Sequence, residues 1–193
     1  VVNAAQLLNE TFDPIDSATW SISNGSVRGA TSSEFFDGNA LHFDGAGARN
    51  ANTVGYDLSS GGNVNFRLKI GGPNDTTLFE NADGGEDVAF NYSIDNGSSW
   101  VNLFTFDTEN TLYRDTWGAA SFNIMGAAIS SNTMFQWVQL RHSGTRFDHW
   151  AIDNVLISNN SVSAVPVPAA VWLMGSGLLG LMGFSRKNKK LAA

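Results

Sequence analysis

Apolar and aromatic residues fall in short runs cut by Gly, Asn, Asp and Ser, at 40–43, 64–70, 88–94, 100–104, 134–140 and 150–157. Several runs alternate with a period of two, the mark of a strand with one face inside and one in water. Val64, Phe66, Leu68 and Ile70, with Asn65, Arg67 and Lys69 between them, make the clearest case. Asp95-Asn96-Gly97 separates two of the runs and predicts a hairpin, because Asn-Gly supplies the positive φ of a tight turn. No segment before Ala164 sustains a helical period for 12 residues. The pattern predicts an all-β fold, an antiparallel β-sandwich or jelly roll. Trp20, Trp100, Trp137 and Trp150 fall in or beside strands, where a large aromatic belongs to the core.

The C-terminal end has a different pattern. A Pro-containing box, Val165-Pro166-Val167-Pro168-Ala169, leads into apolar sequence, and from Ala164 to Phe184 there are 21 residues without a charge. Arg186, Lys187, Lys189 and Lys190 follow with no acidic residue near them. About 20 apolar residues cross a bilayer as a helix, and a basic flank marks the cytoplasmic side. This predicts a single C-terminal transmembrane helix with the rest of the chain exported; the alternative is a buried helix of a soluble core. Residues 1–5, with their small side chains, are compatible with the end of a removed signal peptide. The expected organisation is therefore a β-sandwich over 6–157, a polar linker over 158–164 and a membrane signal over 165–190.

Charge sharpens that division. All 18 acidic residues but only 7 of the 11 basic ones precede Val165, giving that part a net charge of −11. Such a surface excludes nucleic acid, whose binding rests on Lys and Arg neutralising phosphates, and favours divalent cations. The absence of cysteine removes disulfides and thiolate metal sites.

Catalytic patterns are missing. No pair of closely spaced carboxylates suits a glycosidase. His42, His142 and His149 form no zinc motif, and His142 and His149 with Asp148 lack an activated nucleophile. The glycines of Gly45-Ala46-Gly47-Ala48-Arg49 have no strand-to-helix setting for a phosphate loop. Tyr113 and Trp117, in a loop-like stretch, are the residues to test for sugar stacking; the alternative is that they pack in the core.

Two resemblances add to this. The segment VPVPAAVWLMGSGLLGLMGFSRKNKK resembles the PEP-CTERM sorting signals in their VPxPA variant. The resemblance implies a Gram-negative bacterium and a membrane-embedded exosortase that reads Val165, Pro166, Pro168 and Ala169. It further implies delivery to the cell surface or extracellular matrix of a biofilm. Separately, Asn9–Asp13 with Trp20, Tyr92-Ser93-Ile94-Asp95-Asn96-Gly97 with Trp100, and Trp150-Ala151-Ile152-Asp153-Asn154-Val155 resemble the jelly-roll sub-repeat of reelin-type extracellular proteins. More loosely, they resemble MAM and concanavalin-like domains. The growth-factor modules and cysteines of reelin repeats are missing, so only the sandwich carries over.

The reelin resemblance implies one structural Ca²⁺ where the first and last strands meet. Ca²⁺ takes six to eight oxygen ligands. Asp153 is the leading candidate, since a carboxylate inside an apolar strand is costly without a partner; Glu10, Asp13 and Asp44 are the expected co-ligands. Asp83-Gly84-Gly85-Glu86-Asp87 reads as either a second ion site or a solvated acidic turn. The sequence thus points to a non-enzymatic, exported structural or adhesive protein sorted to the cell surface. Its rivals are a carbohydrate-binding module and a surface glycan hydrolase.

Overall fold

The short apolar runs become strands of a two-layered antiparallel sandwich in the computed structural model, which describes residues 2–29, 32–72, 74–76 and 78–162. In order these are β1 (Val2–Glu10), β2 (Trp20–Ser23), β3 (Gly25–Arg28), β4 (Ala40–Phe43), β5 (Asn50–Thr53) and β6 (Gly62–Ile70). They continue with β7 (Val88–Ser93), β8 (Val101–Phe106), β9 (Gly118–Ile124), β10 (Met134–Gln139) and β11 (Trp150–Val162). The first sheet runs β3-β4-β11-β6-β9, with β1 also paired to β11; the second runs β2-β5-β10-β7-β8. The sorting box and the apolar stretch after it, with Val165, Pro166, Pro168 and Ala169, lie outside the described residues. Among the described residues no helix is long and apolar enough to cross a membrane.

The period-two runs fill the space between the sheets. Val64, Phe66, Leu68 and Ile70 of β6 are all buried, as are Phe90, Phe135, Trp137 and Trp150. Phe66 sits at the centre, 5.1 Å from the rings of both Phe90 and Trp137 and 5.7 Å from Phe106. Phe43 stacks on Trp150 at 3.9 Å, and its ring also rests against Gly25, where a Cβ would collide with it. The hairpin forms between β7 and β8, with Asn96 and Gly97 both at positive φ (58° and 78°).

The last strand explains its own sequence. Trp150 and Ile152 face the core, as do Val155 and Ile157, so the inward parity changes at Asn154. That residue has φ 49°, and the pairing with β6 shifts from Asp153↔Arg67 to Leu156↔Asn65, leaving one extra residue on β11. It is a β-bulge, which bends a strand and re-aims its side chains. Along β11, β4 pairs with residues 150–152 and β1 with residues 155–162, so the bulge lies where one neighbour gives way to the other. The polar stretch expected as a linker is strand as far as Val162, because its backbone pairs with β1 and, through Asn159, with β6. The small residues at the start likewise enter β1.

Outside the first sheet, three loop segments fold back over the strands. Phe35, Phe79, Leu78 and Trp117 cluster with Ala40 and Ala151, the outward-facing residues of β4 and β11. Every residue of β4 is buried as a result, as in a sheet covered on both faces. Lys69 places its ammonium 4.1 Å from the centre of the Phe79 ring, and Arg67 lies 4.5 Å over Phe36; both are cation–π contacts.

Candidate functional site

Alternation along β11 points Asp153 outward beneath these loops, immediately before the bulge. Its side chain is fully buried; Oδ1 accepts from the amide of Asn154 at 2.6 Å, and Oδ2 has no hydrogen-bond partner. Burial pushes the carboxyl up to about 7, with Asp13 and Asp37 adding to the effect through space. Asp13 follows the end of β1 and Asp37 precedes β4, so these carboxylates approach where the first strand, β4 and the last strand meet. Asp13 is itself engaged, accepting from the amide and side chain of Asn39.

The other two expected ligands lie elsewhere. Glu10 is buried and holds the loop after β1, accepting from the amides of Phe12 (2.7 Å) and Asp16 (3.0 Å) and from the indole of Trp20 (3.1 Å). Asp44 pairs with Arg28 at 2.9 Å. It stands past Phe43, which faces Trp150, whereas Asp153 lies beyond Ile152, which faces Leu41. Strand rise separates them by roughly 13 Å. Asp37 is the neighbour that sequence reasoning missed, because it sits in a loop whose return over the sheet has no local signature. Among the described residues no three His, Cys, Asp or Glu side chains are arranged to hold a metal ion.

The acidic turn at Asp83–Asp87 closes on itself. Glu86 is buried, accepting from the amide of Asp83 (2.7 Å) and the hydroxyl of Ser143 (3.0 Å), and Asp87 accepts from the amide of Thr108 (3.0 Å). Burial and then the adjacent Asp148 carboxyl push Glu86 up to about 7. Beside them the fully buried guanidinium of Arg49 donates to the carbonyls of Gly45, Gly144, Phe147 and Asp148 and to Gln139 Oε1, at 2.7–2.9 Å. The residues drawn from sequence as a hydrolytic set are thus placed in packing. Asp148 accepts from Ser143, and His149 shares the Leu78 carbonyl with His42 (2.9 and 2.7 Å). His142 lies against Gly47 O.

The second sheet has a different outer face. Strand registers align Ser21↔Asn52, Asn52↔Gln136, Gln136↔Asn91 and Asn91↔Asn102, so one polar row crosses all five strands. Within it Asn102 Nδ2 donates to Asn91 Oδ1 and Asn91 Nδ2 to Gln136 Oε1, each at 3.0 Å. Asn52 Oδ1 is buried without a partner. At the hairpin end Trp100, half-buried, and Met134 both lie beside Gly97. Trp100 is therefore not a core residue like Trp137, which is fully buried. The polar positions of these strands are visible in the sequence; their alignment into a row depends on register.

Tyr113 and Trp117 are both partly buried. Tyr113 packs edge-on against Phe106 at 4.8 Å. Trp117 donates its indole N–H to Glu34 O at 2.9 Å and lies 6.2 Å from both Phe36 and Phe79.

This topology defines a class, the jelly-roll-like sandwich found in adhesin and carbohydrate-binding domains. The K1 cleaved adhesin domain of Lys-gingipain from Porphyromonas gingivalis is 14% identical at a TM-score of 0.55, covering 82% of this chain and 99% of that one. The K3 cleaved adhesin domain of the same protein is 16% identical at 0.54, covering 81% and 99%. The CBM22-1–GH10 modules of Clostridium thermocellum xylanase 10B, complexed with xylohexaose, are 14% identical at 0.53, covering 83% of this chain and 30% of that one. Identities this low establish the fold alone. The family follows from sequence: the Reelin subrepeat B profile matches residues 25–158, and the chain belongs to that family.

Proposed function

We propose that this is a non-enzymatic adhesive domain, exported and sorted to the bacterial surface, whose open sheet face contacts a hydroxyl-rich polymer such as an extracellular polysaccharide. The observation that carries the reading is the row Ser21–Asn52–Gln136–Asn91–Asn102. Primary amides both donate and accept, which suits the paired donor and acceptor character of sugar hydroxyls. Trp100 at the end of the face adds a ring on which a sugar could stack. The adhesin and carbohydrate-binding neighbours are consistent with this reading. In a binding assay, the full chain is expected to be retained on insoluble polysaccharide and to lose retention in the Gln136→Ala/Asn102→Ala double variant. Retention that survives this double change but is lost in Tyr113→Ala or Trp117→Ala would move the contact to those residues and overturn the amide-row reading.

The sorting signal belongs to the same proposal. The box at Val165, Pro166, Pro168 and Ala169 would be recognised by an exosortase-type membrane enzyme while the following helix and basic tail hold the precursor in the inner membrane. Replacing Pro166 and Pro168 with Ala is expected to leave unprocessed precursor in the membrane; unchanged release would count against the signal.

A structural Ca²⁺ at the β11 bulge completes the reading. Asp153 Oδ2 is the buried oxygen in need of a partner and Asp13 would supply a second side chain, with backbone carbonyls and water filling the shell. Ca²⁺ is expected to raise the melting temperature relative to EDTA, and Asp153→Ala to abolish the difference. An equal melt in Ca²⁺ and EDTA would remove the ion.

A further inference from the structure

The cover over the first sheet reaches Arg67 of β6, whose guanidinium lies over Phe36. Beyond it, toward the start of β6, the outward residues keep their surface. Strand registers align Asn123↔Asn63, Asn63↔Ser158 and Ser158↔Gln6, a row across β9, β6, β11 and β1. The next row toward Arg67 is Ser121↔Asn65, Asn65↔Leu156 and Leu156↔Asn9. Both rows point away from the core, because the alternating neighbours Val64, Phe66, Ile124 and Ile157 are buried in it. Gln6, Asn9, Ser121 and Asn123 are exposed, and Asn63, Asn65 and Ser158 are half-exposed.

Composition sets this surface apart. Seven of its eight positions carry an amide or a hydroxyl and none carries a charge, although the chain before Val165 has a net charge of −11. Four of the eight are Asn, a residue depleted in strands because it fits a pleated surface poorly. No structural contact compensates: among the described residues none of the seven polar side chains takes part in a hydrogen bond. A local preference broken without a compensating contact is expected at functional positions.

The same composition narrows the partner. Amides and hydroxyls both donate and accept, so a surface built of them is matched by another neutral array of donors and acceptors. A carboxylated or phosphorylated polymer would be repelled by the acidic domain, and a second copy would bring a further −11 to the contact. Sugar hydroxyls meet the requirement without charge. Neighbouring strands set the groups of each row about 4.8 Å apart, so one oligosaccharide can touch several of them at once.

We infer that this half of the first sheet is a second contact face for neutral polysaccharide, through which one chain bridges two polymer strands on opposite sides of the sandwich. The inference rests on the polysaccharide reading above, but it uses different strands from the amide row, so the two can fail separately. Engagement of one face raises the effective concentration of polymer at the other, so two modest contacts together hold a network.

The test is native mass spectrometry of the full chain released from detergent, with xylohexaose, cellohexaose and mannohexaose as neutral probes and hexagalacturonate as their charged counterpart. The parent is expected to carry up to two molecules of at least one neutral hexasaccharide and none of hexagalacturonate. Asn63→Ala/Asn123→Ala and Gln136→Ala/Asn102→Ala, all surface changes checked by their melting curves, should each reduce two to one. A single bound hexasaccharide that is lost in Gln136→Ala/Asn102→Ala and unaffected by Asn63→Ala/Asn123→Ala would overturn the second face and leave the amide row standing. No binding of any neutral probe would overturn both. Hexagalacturonate bound as well as the neutral probes would overturn the neutral partner. A dimer of the parent that disappears in Asn63→Ala/Asn123→Ala would assign the face to a second copy and likewise overturn the proposal.

Discussion

The two outer faces of the sandwich begin from the same alternation and end differently. The first sheet turns Ala40, His42, Lys69, Ala151 and Asp153 outward, and the loops bury all five. The second turns Ser21, Asn52, Gln136, Asn91 and Asn102 outward; Ser21 and Asn102 remain exposed, and Asn52 and Gln136 are half-exposed. On the covered face polar groups are locked to fixed partners or left unsatisfied beneath aromatic rings. On the open face Asn102, Asn91 and Gln136 are linked by amide hydrogen bonds, and Ser21, Asn52, Gln136 and Asn102 keep surface that a ligand can reach. Asn91 in the same row is buried, so the difference lies in the covering loops: they close the first face over Ala40, His42, Lys69, Ala151 and Asp153, whereas the second keeps exposed and half-exposed polar residues on either side of Asn91.

The comparison can be broken most forcefully at Phe79, the fully buried ring that bridges His42 and Lys69 on the covered face. Phe79→Ala is expected to cost about 3–5 kcal/mol in urea unfolding, the usual penalty for an aromatic core truncation. A loss under ~1 kcal/mol would mean that the loops add little to the first sheet.

Asp153 sharpens the comparison through pH. The folded chain holds this proton to about 7, whereas the unfolded chain releases it near 3.8. Between those values the native state binds more protons, so stability falls as pH rises from about 4 to about 7. In EDTA, Asp153→Asn is expected to remove that fall and to be the more stable form at pH 7, by an amount that shrinks toward pH 4. His42 acts in the opposite direction. Burial, and then His149, lowers it from 6.5 to about 4, so its contribution is lost as pH drops from about 6.5 to 4. An Asp153→Asn stability profile parallel to that of the parent would show that the carboxyl is not held protonated.

The open face should give the smallest stability effects. Asn91→Ala removes two cross-strand amide bonds and is expected to cost about 1–2 kcal/mol. Gln136→Ala should cost about 1 kcal/mol, because Gln136 is itself half-exposed and makes one bond to Asn91, while retention on polysaccharide falls. Chemical denaturation and retention measured on the same preparations separate the two readouts.

Much of this architecture was legible in the chain. The runs at 40–43, 64–70, 88–94, 134–140 and 150–157 lie on or overlap β4, β6, β7, β10 and β11, and Asn96-Gly97 forms its hairpin. Strands β2, β3 and β5 escaped notice because each is four residues long and largely polar, stabilised by neighbours rather than by a pattern of its own. Asp153 stood out because its apolar flanks make a carboxylate anomalous. Asp37 and Arg49 did not, since their significance comes from a loop return and from carbonyls up to 99 positions away. The amide row was illegible for the same reason, since alternation identifies a polar face but only register aligns four amides across it.

The most direct measurement is hydroxyl-radical footprinting of the full chain with and without bound polysaccharide. Protection is expected at Trp100 and Met134 on the open face, with Phe36 and Phe147 near the covered face reacting at unchanged rates. Protection confined to Phe36 and Phe147, with Trp100 and Met134 unaffected, would contradict the account.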